Sequence, residues 1–328
     1  MEPSGRRVSF AVDADGALRS DLDDAALRRA IGAPDARLWL DIDSRNDADW
    51  RLLSEVFHFH PLAIEDTRSP NCRIKLEEYE GYLFVVAREI RFAMETPEPY
   101  DIDTRNLYLF LGANFMVTVH AEPSHATTIV ADRLEAGPDP LARGVDHLAY
   151  VVLDTLVDQY FPCLDQIDDF VDELEAELFG NGEVLEKTFE LKRALLALRR
   201  NLAPMREVMA SLANRPSAYL GVETQIYFRD VYDHVVRQVE SIETYRELLT
   251  GATETYLTLV SNRMNGIIKA LSVIATVVLP PTLVASIYGM NFDWLPGRHS
   301  PYGFWMAFAI MVGLTGGLLA YVWRKGWL

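Results

Sequence analysis

The chain has 328 residues, a formal net charge of -17, and 49% hydrophobic against 24% charged residues. This length allows two domains, and an acid excess of this size argues against a nucleic-acid partner. Cys72 and Cys163 are too few and too far apart to form a disulfide framework or a thiolate metal site.

The opening stretch MEPSGRRVSF has no apolar core of signal-peptide length, so neither cleavage nor export of this region is expected. Strands are expected at VSFAV (8–12), RLWLDI (37–42), GYLFVVARE (81–89), NLYLFL (106–111) and FMVTVH (115–120), the last two joined by Gly112-Ala113-Asn114. DDAALRRAI and DADWRLLSEVF carry helical spacing after acidic N-caps. Residues 1–145 therefore read as an α/β domain. It holds no P-loop, dinucleotide fingerprint or Ser/His/Asp triad, so no enzyme, no organic cofactor and no direct ATP drive is expected. His58 and His60 in FHFHP are alternate residues, but two ligands without nearby partners make a poor metal site.

From residue 146 the strand pattern stops. In LDQIDDFVDELEAEL, Leu164, Ile167, Val171, Leu174 and Leu178 recur at steps of three and four, with acids between them. The acidic face is either a solvated surface or a field that concentrates cations. Gly180-Asn181-Gly182 supplies a stop, after which a second helix over 183–213 runs back along the first. A third helical stretch runs from Glu223 to Ile287, interrupted only by Gly251, Gly266 and Pro280-Pro281. Unbroken, it would be about 65 residues, or close to 100 Å. Val235, Val239, Ile242, Leu249, Ala252 and Tyr256 fall near a heptad register, so the helix must pack against copies of itself or against other helices.

Residues 270–287 and 302–323 contain no charged side chain, and each is long enough to cross a bilayer. Arg263, Lys269, Arg324 and Lys325 flank the pair on one side, whereas the connecting loop has Arg298 alone. Both termini are therefore expected in the cytoplasm. Within the first span Asn265, Ile268, Ser272, Ala275, Leu279, Thr282 and Ser286 form one stripe, smaller and more polar than the rest of the helix. Close packing through small residues explains such a stripe, and so does a water-accessible lumen with apolar constrictions. Two spans cannot enclose a lumen, but several copies of the first can.

Tyr288-Gly289-Met290-Asn291, set between two spans, resembles the signature of the CorA family of divalent-cation channels. The basic end with Trp327-Leu328 agrees, as do HPLAIED (60–66), KLEEYEGYLFVV (75–86), YFRDVYDH (227–234) and SNRMNGIIKALSVIAT (261–276), in the family's order. The resemblance implies a homopentameric funnel in the inner (plasma) membrane. Its parts would be the α/β domain, an acidic helical hairpin (146–222), a stalk helix (223–264), a pore-lining span (265–288), an extracytoplasmic loop (289–301), a second span (302–323) and a basic tail (324–328). It further implies a selectivity filter at Gly289, Met290 and Asn291, polar pore positions at Asn265, Thr282 and Ser286, and a hydrophobic gate at Ile268, Leu271 and Leu279. Lys269, Arg324 and Lys325 match a basic collar. Glu65, Asp66 and Asp230 match a regulatory Mg2+ site between subunits, Mg2+ being both substrate and regulator. A ring of neutral amides suits Mg2+, which keeps its waters and must also leave the site. Gly289 would let the backbone turn where the helix ends.

Some features depart from the family. Ile and Leu stand at gate positions where Met is frequent, and Ser286 stands where glycine is frequent. The acid two residues after Asn291 is kept as Asp293, but the one after the proline is replaced by Gly297, followed by Arg298 and His299. Zinc favours nitrogen ligands, so His299 leaves open a proton-coupled ZntB-like zinc transporter, and Co2+ and Ni2+ also remain open. In a different class, a membrane-anchored sensor or scaffold would use its spans only as anchors.

Overall fold

The computed structural model describes residues 7–69, 72–92, 102–177, 184–291, 295–297 and 299–326. It divides into two compact units, Met1–Gly251 and Ala252–Leu328. The expectations at Leu178, Gly180-Asn181-Gly182, Asp293, Arg298 and Trp327-Leu328 lie outside the described residues.

In the first unit, seven strands form one sheet: β1 (Val8–Val12), β2 (Leu18–Ser20), β3 (Arg37–Asp43), β4 (Lys75–Tyr79), β5 (Tyr82–Phe92), β6 (Ile102–Gly112) and β7 (Phe115–His120). Their order is β2-β1-β3-β7-β6-β5-β4. All neighbours are antiparallel except β3 and β7, which run parallel with Asp41 opposite Thr118 and Asp43 opposite His120. The five apolar strands fall where the sequence places them. The two it does not mark, β2 and β4, are the two edges, and their residues LRS and KLEEY are too short or too charged to show an apolar period.

Helices cover both faces, which is why the central strands are buried almost throughout. On one face lie α1 (Asp24–Ile31), α2 (Asp47–Glu55) and α3 (Pro61–Arg68). Their Leu27, Leu53 and Ala63, with Phe59 from the segment between α2 and α3, join Leu38, Leu40, Phe84 and Phe110 in one core, the Phe59 and Phe110 rings stacked at 4.1 Å. Asp23 caps α1 by accepting from Ala26 N, and His60 caps α3 by accepting from Leu62 N. His60 is thereby a capping residue stacked on Tyr79, and His58 approaches the Ser54 carbonyl, so the pair does not converge on a metal. Next come α4 (His125–Ala136), α5 (Val145–Asp158), α6 (Tyr160–Glu177) and α7 (Val184–Asn214). Of these, α5 touches β3, β5, β6 and β7. Leu164, Ile167, Val171 and Leu174 of α6 are buried, as their spacing requires.

A polar chain crosses β3 and β7 inside the sheet. Trp39 Nε1 donates to Thr118 Oγ1 at 3.0 Å, Thr118 donates to Asp41, and His120 Nε2 lies 3.0 Å from Asp41 Oδ2. Burial disfavours the His120 imidazolium, but Asp41 with Asp43 and Glu89 outweighs it and the pKa is raised. A raised histidine pKa stabilises the fold fully below the unfolded value of about 6.5, and that stability is lost as pH rises through the folded pKa. The thermal midpoint of this unit should therefore fall across that window in wild type, and fall less in Asp41→Asn. Equal slopes in the two proteins would remove His120 from the account.

One helix, α8 (Val222–Tyr288), spans the whole third helical stretch and passes through Gly251, Gly266, Pro280 and Pro281. Its seam is partly filled by its own chain. Phe228, Val231, Val235 and Ile242 are buried, Gln238 donates to the Val157 carbonyl at 2.9 Å, and Val239 and Tyr256 are half-buried. The last helix is α9 (Gly303–Arg324).

Candidate functional site

In the second unit, the spans of α8 and α9 are long and apolar enough to cross a membrane, and only 11% and 6% of their apolar windows are buried. Val284 on α8 and Gly303 and Ala307 on α9 are the buried exceptions. Thr282 and Ser286 each stand two residues from Val284, or about 200° around the helix. The polar stripe at this end thus faces away from the enclosed side, and both residues are exposed. Asn265, Ile268, Leu271 and Leu279 are exposed too, Leu271 at 66% and Leu279 at 65%. Thr282 Oγ1 donates to the Val278 carbonyl at 2.7 Å, which spends the hydroxyl proton and leaves oxygen lone pairs outward. That is the polarity a hydrated cation needs.

Helix α8 ends as Gly289 N bonds the Ala285 carbonyl at 2.8 Å and Met290 N bonds the Ile287 carbonyl at 3.2 Å. Gly289 does not take a left-handed φ. A Cβ there would stand 3.1 Å from the Ala285 oxygen, a tight contact at the helix end, and the expected freedom to turn is not used in this conformation. Asn291 follows, exposed. Lys269, Arg324, Lys325 and His299 are exposed as well.

The loop is held by Tyr288 Oη, which donates to the Pro296 carbonyl at 3.1 Å. Gly297 has φ 83°, and a Cβ on it would lie 2.8 Å from Met306 Cε. A Cβ on Gly303 would collide with the Gly297 carbonyl. An acid at 297 would have to be left-handed and displace Met306, which explains locally why this position is glycine. Gly303→Ala should cost about 1–3 kcal/mol by overpacking, read as a lower melting temperature of the detergent-solubilised protein. Gly313→Ala, whose Cβ meets nothing within 4 Å, is the control and should not fall.

In the first unit Asp230 joins a group the sequence reading missed. Asp154 and Asp158 of α5 and His234 of α8 present ligand atoms all within 4.8 Å of one another. His234 Nδ1 is 3.3 Å from Asp158, and its Nε2 is 3.7 Å from Asp230. That Nδ1 is buried without a hydrogen-bond partner. Burial and then Asp158 push the Asp154 carboxyl up to about 6, with Asp230 adding to the rise and His234 opposing it. Crowded carboxylates beside an orphan imidazole nitrogen make a donor set that a divalent cation fits. Glu65 and Asp66 are not members of this group. Glu65 is exposed, and Asp66 is bound by Lys75 at 2.7 Å, which also holds Glu77 at 2.8 Å. Burial disfavours the Lys75 ammonium, but these two bonds outweigh it and raise its pKa. The signal for the missed residues was Asp154-x3-Asp158, two acids one turn apart at the end of a largely apolar helix.

A family model described as CorA-like Mg2+ transporter protein matches residues 35–325. The chain belongs to the CorA family. It is 37% identical over 300 residues to the Bacillus subtilis (strain 168) protein YfjQ, covering 90% of this chain and 92% of that one. To the cobalt/magnesium transport protein CorA of Thermotoga maritima it is 33% identical over 295 residues, covering 88% and 83%. In fold, it matches the complete CorA magnesium transporter structure from Methanocaldococcus jannaschii with TM-score 0.81 and 24% identity over 98% of this chain and 99% of that one. The ZntB cytoplasmic domain from Vibrio parahaemolyticus shares the fold of the N-terminal part at TM-score 0.63 and 14% identity, over 78% of this chain and 98% of that one. A CorA-family chain with these two spans is a membrane transporter of divalent cations and not an enzyme.

Proposed function

We propose that this chain conducts hydrated Mg2+ down its electrochemical gradient through a homopentameric pore lined by α8, in the inner (plasma) membrane with both termini cytoplasmic. The observation that carries this reading is the exposed Asn291 amide beyond the end of a helix on which exposed polar Asn265 at one end and Thr282 and Ser286 at the other flank exposed apolar Ile268, Leu271 and Leu279. Gly289, Met290 and Asn291 form the filter, where amide oxygens accept hydrogen bonds from the waters Mg2+ keeps. The apolar residues gate by dewetting. Lys269, Arg324 and Lys325 form the collar. An inside-negative potential supplies about 2.3 kcal/mol per charge per 100 mV, so about twice that for a divalent ion.

Cytoplasmic Mg2+ closes the pore by relieving repulsion among Asp154, Asp158 and Asp230. Glu65 and Asp66 of a neighbouring copy complete the site once Lys75 yields Asp66. Flux of Mg2+, Co2+, Ni2+ and Zn2+ into liposomes under an imposed potential ranks the ions. Mg2+ leads in this reading, and zinc flux that follows a pH gradient without magnesium flux overturns it.

The zinc reading has one observation of its own, the His234 imidazole among the regulatory acids, since nitrogen donors favour Zn2+, Co2+ and Ni2+ over Mg2+. That imidazole bears on which ion regulates, and His299 in the loop bears on which ion enters.

A further inference from the structure

Where the parallel strands β3 and β7 end, the first unit has a cleft of about 480 Å3 whose lining includes Ser44, Trp50, Arg68, Ser69, Thr104 and Arg105. Trp50 is fixed by donating its Nε1 proton to the Ser44 carbonyl at 3.0 Å. Over its ring lies the Arg68 guanidinium, 4.4 Å from the centroid. Stacking engages the face of a guanidinium and leaves its in-plane N–H fork free, already oriented for a two-oxygen anion. On the other wall Arg105 is neutralised by Glu122 at 2.5 Å and Asp103 at 3.1 Å. Among the described residues, Arg68 has no carboxylate partner, although the chain carries a net charge of -17. The hydroxyls of Ser44 and Thr104 line the same cleft, and neither donates to another described residue.

A lone oriented guanidinium, hydroxyl donors without acceptors and a flat indole around one cavity call for an oxyanion on an organic body. The volume is that of a small-molecule site and exceeds what inorganic phosphate needs. We propose that this cleft binds an organic phosphate of nucleotide size, its phosphate on the Arg68 fork and its body along the Trp50 side. Ligand exchange here is regulatory in consequence. Arg68 is the last residue of α3, the helix that carries Glu65 and Asp66, so occupancy biases where those acids sit. That consequence rests on the cation-sensing reading above, whereas the binding itself does not.

The test is calorimetry of ADP binding to the full-length protein in detergent with EDTA present, so that no metal bridges the nucleotide to the acidic cluster. Wild type should bind. The exposed substitutions Arg68→Ala and Thr104→Glu should each weaken binding at least tenfold, Arg68→Lys should restore it only in part, and Asp230→Asn should leave it unchanged. Adenosine should fail to compete, and tripolyphosphate or citrate should compete worse than ADP. Absence of binding at millimolar ADP, or binding indifferent to both Arg68→Ala and Thr104→Glu, overturns the site. Citrate or tripolyphosphate competing as well as ADP overturns the nucleotide-sized ligand class. Neither result touches the flux measurements on which the transport reading stands.

Discussion

Asn291→Ala is expected to lower Mg2+ flux into proteoliposomes on the order of 100-fold while leaving the oligomer intact. The amide accepts hydrogen bonds from waters polarised by a dication, and bonds to charged groups contribute about 1.5–3 kcal/mol each. Symmetry removes one such acceptor per subunit. Ala leaves the backbone as it is and can only widen the opening, so loss of flux reports on the lost oxygens and not on a narrower passage. Asn291→Asp separates attraction from conduction. A carboxylate ring holds the ion more tightly, so flux should saturate at lower Mg2+ with a lower ceiling. If Asn291→Ala conducts like wild type, the amide is not the filter. If wild type and variant both fail from intact oligomers, the spans serve as anchors.

The second large effect is expected at the acidic group. Asp154→Asn with Asp230→Asn should raise the cytoplasmic-side Mg2+ needed to halve the flux by roughly tenfold or more, because ligand charge count sets the affinity of such sites. Removing carboxylates also removes the repulsion that the cation relieves, so the residual response should flatten as well as shift. Asp66→Ala tests the neighbouring half of the proposed site separately. It frees Lys75 from one of its two acids, and a shift in the same direction would tie α3 to the same cation. An inhibition curve unchanged in both variants would leave the acids as solvated surface. Gating would then need another cause.

Much of this was legible in the sequence because the relevant signals are local. Five strands were marked by apolar runs, and α8 was marked by the absence of any sufficient break over its length. Pro280 and Pro281 did not stop it, and the polar stripe stayed on one side of the continuous helix. The proposed filter rests on the resemblance of Tyr-Gly-Met-Asn alone, since nothing in the physics of a lone asparagine demands that role. What stayed hidden was relational. Asp154 and Asp158 are an ordinary pair on an ordinary helix until folding brings His234 of a distant segment beside them. Likewise the reason for Gly297 lies in the Met306 side chain and the Gly303 backbone, not in its sequence neighbours. The heptad seam was legible as a demand for partners, and only packing told which were supplied within the chain.

The charged strands β2 and β4 have a consequence at the scale of many molecules. Copies gathered side by side in a bilayer meet at high effective concentration. A long apolar β edge would there recruit its neighbours into an open-ended ribbon, without the closure that a transporter requires. Lys75, Glu77 and Glu78 on one edge and Arg19 on the other discourage that pairing. Lateral contact in the proposed ring is left to helix surfaces.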